Sequence, residues 1–167
     1  SVAGLYASSV AIKTDGTIWA WGSNTAGELG QGNTTSYSSP KQVGALTNWT
    51  AFAVGASHTL AVKSDGTLWG WGYNPYGNIG NGTQTSYSSP VQVGALTNWS
   101  QVSGGYVTAA IKTDGTLWTC GYNNVGQLGN GTTIDYSSPV QIGTLTNWKQ
   151  VASSQGYTSA AIADGYY

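Results

Sequence analysis

Short apolar-rich runs alternate along the chain with clusters of Gly, Asn, Asp and Ser, and no segment sustains a helical period. His58 to Lys63 (HTLAVK) is followed by Ser64-Asp65-Gly66 and then by Thr67 to Gly72 (TLWGWG). Two β-rich runs joined through Asp-Gly predict a hairpin, because both residues of that pair tolerate positive φ. Within Thr67 to Gly72 a period of two puts Trp69 and Trp71 on one face and Leu68 on the other, while Gly70 and Gly72 let another backbone approach closely. A third strand is predicted before the pair, over Ala51 to Gly55. A fourth is predicted after Pro90, over Val91 to Gly94, with a Gly-rich loop at Gly77 to Gly82 in between.

The pattern then repeats. Thr17-Ile18-Trp19-Ala20-Trp21-Gly22 returns as Thr67-Leu68-Trp69-Gly70-Trp71-Gly72 and as Thr116-Leu117-Trp118-Thr119-Cys120-Gly121. The turn Asp15-Gly16 returns as Asp65-Gly66, Asp114-Gly115 and Asp164-Gly165; Pro40, Pro90 and Pro139 keep the same spacing, as do Trp49, Trp99 and Trp148. The repeats run over about 2–49, 50–98 and 99–148, with an incomplete one at 149–167. Four short antiparallel strands in a period of about 50 residues describe a propeller blade, whose apolar faces are covered by stacking on the next blade. The chain is therefore expected to be all-β, with about 3.4 blades at that period.

Composition sharpens the picture. Of 167 residues only 11 are charged, five Lys and six acidic, and there is no Arg; the net charge is −1. A chain this poor in positive charge has no electrostatic footprint for nucleic acid. No apolar run reaches the roughly 20 residues of a membrane-spanning helix, so no membrane insertion is expected. One Cys permits neither an internal disulfide nor a thiolate cluster. Abundant Gly and Ser would suit a disordered chain, but 8 Trp and 11 Tyr supply a large area to bury.

The stretch Gly55-x-x-His58-Thr59-x-Ala61-Val62-x-x-Asp65-Gly66-Thr67-Leu68-Trp69-x-Trp71-Gly72-x-Asn74-x-x-Gly77-x-Ile79-Gly80-x-Gly82 resembles the repeat of the regulator of chromosome condensation family. The same pattern returns from Asp114 to Gly131 and from Asp15 to Gly32. The resemblance covers essentially the whole chain. It implies a seven-bladed propeller, which at this period needs about 350 residues, so the chain reads as part of a longer ring. An open array closed by self-association is the alternative. The resemblance does not fix an activity, since such propellers include a nuclear exchange factor, enzyme inhibitors and surface proteins; function has to come from the site.

Candidate chemistry is sparse. His58 aligns with Ser8, Val107 and Tyr157, so no catalytic role repeats, and it is read as a structural histidine inside the blade. Cys120 takes the place of Trp21 and Trp71 and is read as buried packing. Asp15, Asp65 and Asp114 lie in separate hairpin turns and so do not converge as a metal site would require; no metal and no cofactor are expected. Gly27-x-x-Gly30-x-Gly32 and its copies lack the lysine and helix of a phosphate loop; they are read as tight turns packing near the propeller axis. Glu28 is the sole Glu, which leaves little for paired-carboxylate chemistry, and the chain is expected not to be an enzyme.

Recognition is the remaining class. The Thr-Ser-Tyr-Ser-Ser-Pro loops and their variant present Tyr37, Tyr87 and Tyr136, one per blade, among small polar residues, the composition of adaptable binding loops. Tyr76, beside Pro75, and Asp135, where the other repeats have Ser36 and Ser86, are further candidates. Trp19, Trp21, Trp69, Trp71 and Trp118 are assigned to blade packing. The reading is a non-catalytic structural or adhesive module, extracellular or on a virion surface such as a phage fibre, with a protein partner. A secreted inhibitor is the alternative, a glycan is a second class of ligand for the aromatic faces, and an exchange factor fits least.

Overall fold

A computed structural model describes residues 2–5, 8–153 and 159–163. The sequence features at Tyr157 and at Asp164-Gly165 lie outside the described residues. Among those described, every regular element is a strand: β1 (Val2–Leu5), β2 (Ser8–Ile12), β3 (Ile18–Gly22), β4 (Tyr37–Gln42), β5 (Trp49–Val54), β6 (His58–Lys63), β7 (Leu68–Gly72), β8 (Tyr87–Gln92), β9 (Trp99–Gly104), β10 (Val107–Lys112), β11 (Leu117–Gly121), β12 (Tyr136–Gln141), β13 (Trp148–Ser153) and β14 (Ser159–Ala163). They form three antiparallel four-stranded sheets, β1–β4, β5–β8 and β9–β12, each in simple meander order, and a β13–β14 pair. The first strands of neighbouring sheets touch, β5 with β9 and β9 with β13, which puts them innermost and leaves β4, β8 and β12 outermost.

Alternation along the strands explains the stacking. In the second sheet, Ala61 and Trp71 join a cluster with Val10 and Ile18 of the first sheet and Leu29 of the loop between β3 and β4. Val62 and Leu68, on the opposite face, join Ala110 and Trp99 of the third. One sheet thus feeds two cores, as the period of two requires.

The outermost strand departs from the expected Val91 to Gly94. It begins four residues earlier, at Tyr87, and ends at Gln92, taking Pro90 into the strand. A proline without an N–H is tolerated there because β8 is a sheet edge, and Tyr37, Tyr87 and Tyr136 therefore open strands rather than occupy loop tips. The register also shifts between Gly70, which pairs with Val91, and Gly72, which pairs with Tyr87, so Ser88, Ser89 and Pro90 of the outer strand bulge opposite Trp71; Ala20/Gly22 and Thr119/Gly121 shift likewise.

Each Asp-Gly turn among the described residues is tied into its blade. Asp65 Oδ1 accepts from the Thr67 backbone N–H at 3.0 Å and from its hydroxyl at 2.6 Å, and Thr67 Oγ1 accepts from Trp69 Nε1 at 2.9 Å. The Asp15 and Asp114 units are built the same way. The Thr67 hydroxyl holds the Asp65 carboxyl below its ordinary range, and Asp15 is brought down to about 2 by the Thr17 hydroxyl and amide. Thr67→Val is expected to lose about 1 kcal/mol of stability and to raise the Asp65 titration midpoint, both readable by NMR-monitored pH titration and urea unfolding. An unmoved Asp65 would refute the arrangement.

A lysine stands two residues before the aspartate of three of these turns, Lys13, Lys63 and Lys112, and the sequence pattern alone gives it no role. Lys63 Nζ lies 3.6 Å from the Trp69 ring centroid and 5.0 Å from that of Trp49, and Lys112 lies 3.5 and 5.0 Å from Trp118 and Trp99. These nearly buried ammonium groups are held by cation–π attraction.

Candidate functional site

Two of the sequence candidates, Tyr76 and Asp135, lie at a seam between blades. The frame there is a buried asparagine. Asn74 donates through Nδ2 to the carbonyls of Thr83 and Thr85, at 2.9 and 3.0 Å, and its Oδ1 accepts from the Ile79 N–H at 2.8 Å. Asn24 and Asn123 repeat this knot. It folds the Gly-rich loop back on its own blade and presents it to the next.

That loop latches the outer part of the following blade, not the axis as expected. Gly32 N–H donates to Ser88 O at 2.7 Å and Gly82 N–H to Ser137 O at 2.7 Å, and both acceptors lie on outermost strands. A Cβ on Gly77 would lie 2.3 Å from Ser137 Cα, so only glycine, with its φ of +76°, fits this approach. Deeper in the first seam, Glu28 O accepts from both Thr59 Oγ1 and Trp71 Nε1 at 2.9 Å. In the second, Asn78 O accepts from Thr108 Oγ1 at 2.5 Å, with the Cys120 thiol at 3.9 Å.

At the end of the strands bearing the β5–β6 turn, the first seam opens into a groove of about 580 Å³ lined by Thr25, Ala26, Thr34, Ser57, Tyr73, Ser86 and Ser88. Tyr73 is 47% exposed. No lining side chain carries a charge. The corresponding positions of the second seam include Pro75, Tyr76, Tyr106, Tyr122 and Asp135, and there the rings of Tyr76 and Tyr122 meet at 4.5 Å and close over one another. Asp135 Oδ1 accepts the Asn123 N–H at 2.7 Å, the role Ser36 and Ser86 play at 3.2 and 3.1 Å, so it frames the loop.

The structure separates Tyr37, Tyr87 and Tyr136 from this groove's lining. All three are half-buried at the start of outer strands. Tyr37 and Tyr87 pack against the blade cores; the Tyr37 hydroxyl accepts from Asn33 Nδ2 at 3.2 Å, and that of Tyr87 lies 3.4 Å from Thr83 Oγ1. Sequence reading missed Thr25, Thr34 and Ser57. The signal that could have found them is divergence: Ala26 against Tyr76, and Ser57 against Tyr106, are changes between repeats otherwise nearly alike.

The titratable groups are placed for packing. His58 is buried, its pKa lowered to about 4 by desolvation, with Nε2 3.4 Å from Thr108 Oγ1. Burial pushes the Cys120 thiol up to about 12, which leaves it protonated and unreactive at neutral pH. Trp71 is fully buried while Trp21 is half-buried. Among the described residues no three His, Cys, Asp or Glu side chains gather as a metal site would require, and no helix is long and apolar enough to cross a membrane.

Comparison with known proteins agrees with this architecture. The pattern described as the regulator of chromosome condensation (RCC1) repeat matches residues 15–62, 65–111 and 114–161, and a second form of it matches 49–78. Mouse Protein RCC2 is 39% identical over 56 residues and its zebrafish homolog 41% over 56; the match covers 32% of this chain and 11% of each relative. Among solved structures, human WBSCR16 superposes with a TM-score of 0.85 at 22% identity, covering 98% of this chain and 45% of that one. Prp20p of Saccharomyces cerevisiae, described with its binding properties to Gsp1p and histones, gives 0.79 at 18% identity, covering 91% and 41%. The yeast protein bound to Kap60 gives 0.81 at 20%, covering 98% and 41%. The chain spans about a tenth of its curated relatives and under half of these structures.

Proposed function

Since the chain belongs to the regulator of chromosome condensation repeat family, we propose that it works as a non-catalytic propeller that binds another protein, as a structural or adhesive module on a virion or cell surface. The observation that carries this reading is the uncharged groove at the first seam. Tyr73 stands among Thr and Ser side chains on a rigid inter-blade frame, and an amphipathic aromatic presented at low entropic cost is suited to protein recognition. The extracellular or virion setting is motivated by the composition, rich in Gly, Ser, Thr, Asn and Tyr and without Arg, and by the near-identity of the repeats. That setting and the absence of catalysis are proposals.

Two observations weigh against other roles. The sole histidine is buried in its neutral form and the sole thiol is buried and protonated, so neither stands ready as base or nucleophile. Prp20p is described as binding histones, which are basic, yet this chain has six acidic residues, and Asp15, Asp65 and Asp114 are bound into turns.

Ser57→Arg combined with Tyr73→Ala blocks the groove without touching a core residue. Incorporation of the variant into its native assembly, or capture of its partner, is expected to fall at least tenfold, about 1.4 kcal/mol, with unfolding unchanged. Undiminished capture by the double variant would overturn the assignment of this face. In that case tyrosine replacement at Tyr37, Tyr87 and Tyr136 tests the outer edge.

A further inference from the structure

The second seam carries a cleft at the opposite end of the strands, independent of the Tyr73 groove. It encloses about 160 Å³ and is walled by Trp99, Trp118, Val93, Leu96 and Pro139, with Asn81 at its rim.

Its origin is visible in a comparison of the two seams. In the first, the Trp71 indole lies beside Gly30, packs in one cluster with Val43, and meets Trp49 edge-on at 6.1 Å. The corresponding Gly80, Val93 and Trp99 all line the cleft, and the indole is replaced by the smaller thiol of Cys120, whose Sγ faces Gly80. The rim differs as well. Gln31 Nε2 reaches the Gln42 carbonyl at 3.1 Å and so clasps its own outer strand. Its counterpart Asn81 is one methylene shorter, and its Oδ1 instead accepts from Thr83 N and Oγ1 at 3.3 and 2.9 Å. The second seam thus carries a thiol where the first carries an indole, and Asn81 bonds within its own loop instead of reaching the outer strand.

We infer that this cleft binds a planar aromatic side chain of a protein partner, entering past Leu96 to fill the space that Trp71 fills in the neighbouring seam. An apolar space of about 150 Å³ admits one aromatic ring, and a buried aromatic anchor in such a pocket is the usual centre of a protein interface. The surroundings favour a side chain over a free small molecule. Leu46, Leu96 and Leu145 stand 46, 47 and 53% exposed, one per blade, on the linkers at this same end of the strands. Of these, Leu96 belongs to the cleft wall itself, so the wall continues outward as exposed apolar surface on which the partner's chain rests beyond the ring.

The test uses the full chain with methyl-labelled Leu and Val, titrated by NMR with N-acetyl-tryptophanamide and with free indole. Both probes are expected to saturate at one site and to shift Leu96 and Val93, with affinities within a few-fold of one another. Cys120→Trp fills the cleft from inside and should weaken both at least tenfold. Leu96→Asp alters only the exposed lip and should weaken the amide at least threefold. Asn81→Gln rebuilds the rim found in the first seam and should act in the same direction. The two rim variants decide the matter if Cys120→Trp does not fold. Non-saturating shifts spread over all leucines, or binding unchanged in the variants, would overturn the site. Binding of indole without the amide would overturn its assignment to a partner side chain.

Discussion

Trp71→Ala is expected to cost about 4 kcal/mol of folding stability, within the range for a fully buried tryptophan, whereas Trp21→Ala should cost less because part of its aromatic surface stays in water. The two residues share a repeat position and differ in what covers them. Trp71 is wholly buried, donates Nε1–H to Glu28 O at 2.9 Å, and packs edge-on against Trp49 at 6.1 Å. Removing it deletes the piece of the second blade that is keyed into the first. Glu28 O keeps its bond from Thr59 Oγ1 at 2.9 Å, so the carbonyl is not orphaned and the loss is chiefly one of packing. In stacked repeats, stability is a sum of unit and interface terms. Hydrogen exchange should therefore rise in β2–β4 and β5–β7, and less in β10–β12. Urea unfolding of both variants with exchange mapping checks this. Equal losses at Trp21 and Trp71, or exchange rising uniformly, would show that the indole is not the key between these blades.

The same residue shows how much of the fold was legible. The repeat period, the hairpins at Asp-Gly and the split of Trp71 and Leu68 onto opposite faces all follow from local pattern, because strand periodicity and turn chemistry act over a few residues. The start of β8 did not follow. Pro90 reads as a breaker, and only its place on a sheet edge, a property of the assembled blade, makes it compatible with a strand. The Gly-rich loops were recognised as turns, yet their destination, Ser88 and Ser137 of the next blade, depends on how sheets stack. The groove was the least legible feature. Thr25, Thr34 and Ser57 are ordinary residues scattered over more than thirty positions, and they acquire meaning only where two blades meet. Tyr76 was singled out by its neighbour Pro75 and does lie at such a seam, in contact with Tyr122.

Stability is expected to fall by about 3 kcal/mol as the pH drops from 6.5 to 4, because His58 can take up a proton only when the blade opens. Burial lowers its pKa from 6.5 to about 4. Between those values the unfolded chain binds a proton that the folded chain does not, so protonation favours unfolding. The contribution is complete above about 6.5 and is lost as the pH approaches 4. The geometry explains why the ring cannot simply turn out to water. His58 is 2% exposed, and a Cβ on Gly55 would lie 2.1 Å from its Cε1, so the imidazole occupies the space the glycine leaves. Its polar neighbour, Thr108 Oγ1 at 3.4 Å, offers no negative charge to stabilise an imidazolium. The carboxylates act in a separate window. Asp15, Asp65 and Asp114 are held below their ordinary 3.8, so their contributions disappear only at still lower pH. His58→Val borrows the residue that the third blade carries at the same position, Val107, itself buried. In that variant the unfolding midpoint in urea should stay flat between pH 4.5 and 6.5 while the parent protein declines. A parallel decline in both would place the acid sensitivity elsewhere and show that the imidazole is solvated in the folded blade.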